Sequence, residues 1–248
     1  MPHKRKELNI KGANLWYLVG LITTDGCLLS DGRHIDITAK EYKFLDKLNS
    51  RLGIRNKICV KNKGKINEAY AINFSNRNLY EFLLSIGLTP CKSLTQDEVI
   101  VPDEFFCDFL RGIIDGDGCI RNWIHPTNKG EQWSLRIYSS SLAFVEWLRR
   151  EIEYLFKARG RLHKDAKEKP FADLFILKYG KMAAQWIIKR CYYEDCLGLD
   201  RKIRLAQECR DSYIGWKQSK TVLRQNQFAG MLELEDNTDL KSVGVQAP

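Results

Sequence analysis

The 248-residue sequence has little proline, no closely paired cysteines and no long apolar run. Only six prolines occur, and with 44% hydrophobic and 29% charged residues the composition is that of an ordered globular protein. No stretch of about 18 apolar residues exists and the amino terminus is charged, so neither a membrane span nor a secretory signal is expected. The eight cysteines include no C-x-x-C pair and the four histidines are not paired at ligand spacing. A zinc site or disulfide scaffold is therefore not expected, and a reducing intracellular setting is favoured.

The charge balance favours a polyanionic partner. Forty lysines and arginines outweigh 31 aspartates and glutamates, which gives a net charge of +9. A basic surface of this kind attracts DNA or RNA, although the balance alone does not identify the partner.

Two segments of the chain repeat each other. Leu18–Cys27 (LVGLITTDGC) aligns with Leu110–Cys119 (LRGIIDGDGC) at an offset of 92 residues. Each copy is followed by an alternating stretch, a helical pattern, a second alternating stretch and a second helical pattern. The apolar positions of the second alternating stretch are Tyr70, Ile72 and Phe74 in one half and Leu174 and Ile176 in the other. The sequence therefore predicts an α+β fold made of two αββαββα halves.

Small residues recur on one face of each repeated helix. Gly20 and Thr24 in the first copy, and Gly112 and Gly116 in the second, are separated by four positions and so lie on the same helix face. A glycine inside a helix costs roughly 1 kcal/mol relative to alanine. Its presence at the same place in both copies predicts that the two helices cross there.

Each repeated helix is followed by glycine and ends on an aspartate. Gly26 and Gly118 suit a left-handed helix cap, and Asp25 and Asp117 fall in the last turn, where the helix dipole disfavours a carboxylate. If the helices are neighbours, two carboxylates and two sets of carbonyl oxygens converge. This predicts an all-oxygen pocket for hard divalent cations.

Both repeated segments resemble the LAGLIDADG motif of a family of homing endonucleases, in its single-chain form with two motifs. The resemblance implies two pseudo-symmetric halves, with the motif helices at their interface and antiparallel sheets that form a saddle over DNA. The predicted domains are residues 1–94 and 103–215, joined by a linker at 95–102 and followed by an extension at 216–248. The sequence departs from the usual motif at Thr23, Thr24 and Arg111.

The resemblance also implies the site residues. Asp25 and Asp117 would bind metal, with the carbonyl oxygens of Thr24 and Gly116 as further ligands, and both aspartates would be catalytic. The family places a lysine near each scissile phosphate, and the matching positions are Lys92 and Lys202. The implied cofactor is Mg²⁺, as two or three shared ions, with Mn²⁺ able to substitute and Ca²⁺ expected to support binding without cleavage.

The strands supply the predicted DNA contacts. Apolar Leu28, Ile35 and Ile37 define the buried face of the first sheet, and Ile120, Leu135 and Ile137 that of the second, so alternate residues face outward. Basic runs continue both sheets, and a β-ribbon fits the major groove. The predicted DNA-binding residues are Leu29, Arg33, His34, Asp36, Thr38, Lys57, Lys61, Lys63, Lys65, Asn73, Arg121, Trp123, Ser134, Arg136, Tyr138, Arg159, Arg161, His163 and Lys164. Lys61, Lys63 and Lys65 are assigned mainly to phosphates.

Two functions remain open at this point. The first is a site-specific endonuclease that acts as a monomer and makes a double-strand break in a long asymmetric DNA target. The second is a non-catalytic nucleic-acid binder, either an intron RNA-splicing maturase or a DNA-binding regulator. The presence of both Asp25 and Asp117 favours the first, because a pure binder has no need of carboxylates beside a polyanion. An intron-encoded enzyme of an organelle or a microbial cytoplasm is expected.

Overall fold

A computed structural model describes residues 10–90, 95–165 and 173–212 of the chain. Lys92 and the predicted extension at 216–248 lie outside the described residues, so what the sequence predicts for them stays a prediction.

The first half folds in the predicted order of helix, two strands, helix, two strands and helix. Its elements are α1 (Gly12–Asp25), β1 (Gly26–Leu28), β2 (His34–Ala39), α2 (Tyr42–Arg51), β3 (Ile58–Lys61), β4 (Ala69–Ser75) and α3 (Arg77–Ser85). The side chain of Asn76 caps α3 by accepting a 2.9 Å hydrogen bond from the backbone N–H of Leu79. Such a cap satisfies one of the amide groups that a helix start leaves free.

The second half repeats this order and adds one helix. Its elements are α4 (Phe106–Asp117), β5 (Gly118–Ile124), β6 (Glu131–Ser139), α5 (Leu142–Phe156), β7 (Arg161–Asp165), β8 (Leu174–Tyr179), α6 (Lys181–Cys191) and α7 (Asp200–Asp211). A short 3₁₀ turn, Asp103–Phe105, precedes α4. The predicted αββαββα architecture is confirmed, and α7 is an addition without a counterpart among the described elements of the first half.

Each half has a four-stranded antiparallel sheet within the described residues. The strand orders are β1-β2-β4-β3 and β5-β6-β8-β7, and the registers agree as well. Gly26 pairs with Ile37 in the first sheet, and Gly118 pairs with Ile137 in the second. The repeat in the sequence is therefore a repeat of backbone structure.

The two motif helices, α1 and α4, cross at their glycines. A Cβ atom built on Gly20 would overlap the carbonyl oxygen of Phe109 and lie 3.1 Å from the Cα of Gly112. One built on Gly112 would lie 2.6 Å from the backbone nitrogen of Leu21, closer than real Cβ contacts allow. The predicted crossing is confirmed, and it explains why both helices tolerate an internal glycine.

The glycines that follow the motif helices serve a different purpose from the one predicted. Gly26 has φ −101° and Gly118 has φ −89°, so the expected left-handed caps are wrong. The chain passes directly from each helix into a strand, and a left-handed residue would turn it away. Glycine is needed for space, because a Cβ on either residue would lie 2.6 Å from the Cα of Ile22 or of Ile114.

Both halves contribute to one hydrophobic core. Leu18 and Ile22 on α1, and Phe109 and Ile113 on α4, are almost completely buried in it. Because this core is shared, the domain boundaries at 94 and 102 stay a prediction. No helix in the described ranges has the length and hydropathy needed to cross a membrane.

Candidate active site and DNA interface

The carboxyl-terminal ends of α1 and α4 lie side by side. A Cβ on Gly116 would lie 2.5 Å from the Cβ of Thr24 and 3.3 Å from Oδ2 of Asp25, so only glycine fits. Asp25 and Asp117 are the last residues of the two helices. Loss of hydration and, next, the charge of Asp117 raise the pKa of Asp25 to about 6, although Lys202 acts in the opposite direction. The two carboxylates therefore interact, as the sequence predicts.

The chemical groups at these helix ends are oxygen donors. Carboxylate and carbonyl oxygens are the ligands that hard divalent cations prefer, and Asp25 and Asp117 supply two negative charges. Across residues 10–90, 95–165 and 173–212, this site included, no group of three or more His, Cys, Asp or Glu side chains could hold a metal ion, so a metal here would depend on two carboxylates and on carbonyl oxygens. The donor set fits Mg²⁺, since a divalent cation would relieve the repulsion between the two carboxylates. The carbonyl oxygens of Thr24 and Gly116 stay predicted ligands.

Lys202 lies beside this site but is not free to reach a phosphate. Its side chain is 3% exposed, and Nζ donates hydrogen bonds to the carbonyl oxygens of Ile114, of Asp115 at 2.6 Å and of Gly118 at 2.9 Å. All three donors of the ammonium group are thereby used. In this structure α7 directs the lysine into the end of α4, and its predicted role near the scissile phosphate stays a prediction.

The charge of Lys202 still matters to the site. Its ammonium group compensates the negative end of the α4 dipole, where Asp117 lies. Burial lowers the pKa of Lys202 to about 8, although the charges of Asp115 and Asp25 favour its protonated form. We interpret Lys202 as a buried support of the second motif. Lys92, the matching residue of the first half, lies outside the described residues.

A buried carboxylate that sequence reasoning did not single out links several elements. Oδ2 of Asp115 accepts hydrogen bonds from the Tyr17 hydroxyl at 2.8 Å and from the backbone N–H of Leu199 at 2.9 Å. Oδ1 accepts one from the Tyr192 hydroxyl at 2.7 Å. Asp115 thus joins α1 and α4 to the residues between α6 and α7. The sequence shows Asp115 as an acidic residue inside the second motif, but its hydrogen-bond partners are distant in sequence and could not be predicted.

Arg111, which departs from the usual motif, is also buried with partners. Its guanidinium group forms a 2.8 Å ion pair with Asp108 and donates 2.8 Å hydrogen bonds to the carbonyl oxygens of Leu197 and Cys191. The Tyr193 hydroxyl donates a 2.6 Å hydrogen bond to Asp108 from the other side. A buried charge is very costly unless ion pairs and hydrogen bonds replace its lost hydration. Arg111 therefore has a structural role, and its guanidinium group also lies 5.1 Å from the ring centroid of Tyr17 on α1.

The outward face of the first sheet agrees with the prediction. His34, Asp36 and Thr38 are partly exposed on β2 and alternate with buried Ile35 and Ile37. Other predicted residues of this half are also exposed, namely Leu29, Arg33, Lys57, Lys61, Lys63, Lys65 and Asn73. Arg33 and His34 both contact the carboxylate of Asp31 in the turn between β1 and β2.

Lys61 is held on this face by an ion pair. Its Nζ lies 2.5 Å from Oδ2 of Asp36 and 2.9 Å from Oγ1 of Thr38. These partners are on β2 while Lys61 is on β3, so the side chain spans the intervening β4, where Ala71 lies opposite Thr38. Lys61 thus lies over the strands with its charge paired, whereas Lys63 and Lys65 lie in the exposed β3–β4 connection.

The second sheet departs from the prediction at Ser134. Arg121, Trp123, Arg136 and Tyr138 are exposed or partly exposed as expected, but Ser134 is only 1% exposed. Ser134 pairs directly with Arg121 across β5 and β6. Ser134 is therefore not available to DNA in this structure.

The basic run near β7 divides between two faces. Arg161 and His163 pair with Lys178 and Ile176, while Lys164 alternates to the other face. Lys164 forms a 2.6 Å ion pair with Asp173. Lys164 therefore lies on the opposite face of β7 from Arg161 and His163, because side chains alternate along a strand, and its predicted contact with DNA stays a prediction.

Arg159 is likewise paired away from the outward face. Its Nε donates a 2.7 Å hydrogen bond to Glu153 on α5. The predicted DNA contact at Arg159 would require this exposed ion pair to open.

Lys178 is a basic residue of the outward face that the sequence prediction missed. It lies on β8 opposite both Arg136 and Arg161, whereas its neighbours Leu177 and Tyr179 are fully buried. The alternation at Leu174 and Ile176 suggested the opposite face. The apolar run Leu174–Leu177 has no polar residue to mark the alternation, so a one-residue shift was not apparent.

Comparison with known proteins was informative at the level of family and fold. A family model described as a LAGLIDADG-like domain matches residues 13–87, which include the first motif. Residues 13–87 are therefore similar to a LAGLIDADG-like domain. A search of curated proteins found no match.

Solved structures share the fold across both halves of this chain. The homing endonuclease I-DmoI in complex with DNA and Ca is 18% identical with a TM-score of 0.52, and the match covers 79% of this chain and 97% of that one. Mesophilic variants of I-DmoI are 16% identical with a TM-score of 0.51 and the same coverage. Full-length DUF199/WhiA from Thermatoga maritima is 13% identical with a TM-score of 0.50, covering 96% of this chain and 79% of that one. These identities establish the fold alone.

Proposed function

We propose that this chain is a site-specific DNA endonuclease that makes a metal-dependent double-strand break in a long, asymmetric target. The observation that carries the proposal is the convergence of Asp25 and Asp117 at the ends of two crossing helices. Two interacting carboxylates are costly unless a cation or a proton is present. A protein that only bound DNA would gain nothing from them, because they repel a polyanion.

The metal would be held by this chain's own oxygen donors. Asp25, Asp117 and the carbonyl oxygens of Thr24 and Gly116 are the proposed ligands of Mg²⁺, as two or three shared ions. When bound, such ions supply a nucleophilic water, neutralise charge at phosphorus and assist the leaving 3′ oxygen. Mn²⁺ is expected to substitute, and Ca²⁺ to support binding without cleavage. The I-DmoI complex with DNA and Ca is in keeping with the last point.

The rest of the site positions these carboxylates. The contact between Gly20 and Gly112 fixes how closely the helices approach, and hence the separation of the two acids. Lys202 holds the end of α4 through its carbonyl groups, and Asp115 ties the same turn to α1 and to Leu199. With one acid from each half, each DNA strand has its own carboxylate.

The sheets would bind the duplex. Their outward faces carry donors and acceptors that suit base edges, and the lysines of the β3–β4 connection suit phosphates. Because both motifs belong to one chain, we propose that the protein acts as a monomer. The two outward faces differ, with Asp36 in the first sheet where Arg136 stands in the second. An asymmetric target follows.

A DNA-binding regulator without catalytic activity is the second candidate. The observation in its favour is the likeness to WhiA, which covers 96% of this chain. LAGLIDADG proteins include both endonucleases and non-catalytic members, so the fold alone does not decide. Intron RNA, as the partner of a maturase, is retained as an alternative ligand on the basis of charge.

Selection of cleaved sites from a randomised DNA library tests the proposal. Incubation with Mg²⁺ should yield one long asymmetric site that is cut on both strands, and omission of divalent ions should prevent cleavage. Binding of a preferred sequence without cleavage in Mg²⁺ or Mn²⁺ would identify the regulator instead. Selective binding to structured RNA, with no DNA cleavage, would favour the maturase.

The cellular setting remains part of the proposal. We propose an intron-encoded enzyme that works inside an organelle or a microbial cytoplasm. The cysteines among the described residues form no disulfide, which suits a reducing compartment.

A further inference from the structure

Three basic side chains form a row across the second sheet. Arg136 on β6 pairs with Lys178 on β8, and Lys178 pairs with Arg161 on β7. The fourth member of the row is Cys119 on β5, two residues after Asp117. Adjacent strands are about 4.8 Å apart, so the three cations span roughly 10 Å, close to the length of three base-pair steps. We call Arg136, Lys178 and Arg161 the cationic row.

The cationic row is not neutralised by the described part of the chain. No ion pair or side-chain hydrogen bond within residues 10–90, 95–165 and 173–212 involves any of its three members. Nε of Arg136 is buried without a hydrogen-bond partner there. Three like charges on neighbouring strands repel each other, and cross-strand pairs of this kind destabilise a sheet. Such an arrangement is suited to an external group that accepts hydrogen bonds.

The corresponding row of the first sheet has the opposite character. Cys27, Asp36 and Asn73 lie opposite one another there, in the same register relative to the motif helix. Asp36 also neutralises Lys61. At the two central strands the first row therefore offers a carboxylate and an amide, with basic Lys57 just before β3 at its far end, whereas the cationic row offers donors alone.

We infer that the cationic row selects guanines at two or three consecutive base pairs of the half-site that the second sheet contacts. This inference rests on the proposed function and deepens it. Guanine presents two acceptors, O6 and N7, in the major groove, whereas cytosine presents a donor and adenine presents one of each. Arg136 and Arg161 can donate two parallel bonds to a guanine, and Lys178 can donate to either acceptor. The first row, by contrast, suits cytosine or adenine at the equivalent base pairs.

The position of the row predicts where these guanines lie. Cys119 begins the row immediately after the second motif, so the row is close to Asp117. The selected bases should therefore lie near the point of cleavage in that half-site. Arg121 and Trp123 lie farther along β5 and should contact base pairs farther from the centre.

Exchange of the two rows tests the inference. Binding sites are selected with Ca²⁺, so that cleavage is not needed, using wild type and the Arg136→Asp, Lys178→Asn variant, which copies the first row. The wild type should prefer guanine at the facing base pairs, and the variant should lose that preference by roughly 5- to 150-fold. The reciprocal Asp36→Arg, Asn73→Lys variant should gain guanine preference in the other half-site.

Milder variants and controls keep the test interpretable. Arg136→Gln and Lys178→Gln remove one charge each and should each relax preference at one or two base pairs, with no loss of thermal stability. Lys63→Gln should weaken all sequences alike, because Lys63 is assigned to phosphate. If the wild type selects a clear target and the variants of the cationic row keep the same guanine preference, this inference alone is overturned. A wild type that binds no preferred DNA sequence would overturn the proposed function as well.

Discussion

The two motif helices end in the same way but are supported differently. Asp115 in the second motif accepts three hydrogen bonds, one from α1 and two from the connection between α6 and α7. Thr23, at the matching position of the first motif, donates to the carbonyl of Val19 in its own helix at 2.8 Å. Lys202 then fixes the end of α4 through three carbonyl groups. The comparison teaches that a repeated motif can keep its backbone while its supporting contacts diverge.

The sheets show the same divergence on their outward faces. Their strand orders and registers agree, yet Lys61 is neutralised by Asp36 in one sheet while Arg136 and Lys178 lack described ionic partners in the other. Backbone repetition therefore builds two matching sheets, and individual side chains specialise each half. Matched substitutions in the two halves can test this view.

Removal of the buried acid should cause the largest loss of stability. Asp115→Val would leave two tyrosine hydroxyls and one backbone N–H without their acceptor, and each unsatisfied buried group costs about 1–3 kcal/mol. We expect a loss of about 3 kcal/mol or more in the free energy of unfolding. Thr23→Val should cost less than about 1 kcal/mol, because only one local bond is lost. Urea denaturation of both variants measures the difference. Equal losses of unfolding free energy would contradict the view that the second motif has the stronger supporting contacts.

The helix crossing, in contrast, should be equally sensitive from both sides. Gly20→Ala and Gly112→Ala each place a methyl group against the backbone of the opposite helix. Overpacking of this kind typically costs about 1–3 kcal/mol. Gly180→Ala is a suitable control, since a Cβ there would meet nothing within 4 Å. Both crossing variants should melt at a lower temperature than this control. An unchanged melting temperature in either crossing variant would show that the helices do not make close contact at that glycine.

The interaction between the acids should appear as pH dependence in the metal-free protein. The pKa of Asp25 is raised from its ordinary value near 3.8 to about 6 in the folded state, so the folded protein binds more protons between these values. Its contribution to stability is therefore present at low pH and is lost as the pH rises through about 6. The melting temperature of the wild type should fall relative to Asp25→Asn over this range.

A saturating concentration of Ca²⁺ provides the control for this pH effect. Bound Ca²⁺ should abolish the fall in the melting temperature of the wild type over this pH range, because the cation takes the place of the proton. If the melting temperatures of the wild type and of Asp25→Asn changed equally with pH in the absence of metal, the interaction between the two carboxylates would be contradicted.

The smallest expected effects concern single lysines. Lys63→Gln should reduce the slope of log affinity against log salt concentration by about one unit, as one phosphate contact is lost. Lys61→Gln should reduce it by less, because the ion pair with Asp36 already offsets its charge. Binding assays at several salt concentrations compare the two, and a larger effect at Lys61 would mean that its ion pair opens on DNA.

Local rules were enough to predict the repeated architecture and the two acids. Helix spacing placed Gly20 and Gly112 on facing surfaces, and strand alternation placed Ile35 and Ile37 inside. Asp25 was found because it ends a repeated pattern. Each of these inferences depends on residues a few positions apart, where helix and strand geometry leave little freedom.

Features that depend on distant packing were not predictable. The orientation of Lys202 follows from how α7 returns to α4, and Asp115 finds Tyr17, Tyr192 and Leu199 only after the chain has folded. Lys178 was missed because an unbroken apolar run precedes it. The extended conformation of Gly26 reflects a crowded helix end rather than a turn.

The central claim is that Asp25 and Asp117 together drive metal-dependent cleavage of both strands. The most direct measurement compares Asp25→Asn and Asp117→Asn with wild type on the selected target, with cleavage followed in Mg²⁺ and binding in Ca²⁺. Each substitution keeps the shape of the side chain but removes the charge that holds the cation. Both variants should lose double-strand cleavage while binding stays within a few-fold of wild type. Wild-type cleavage of both strands by either variant would contradict the account.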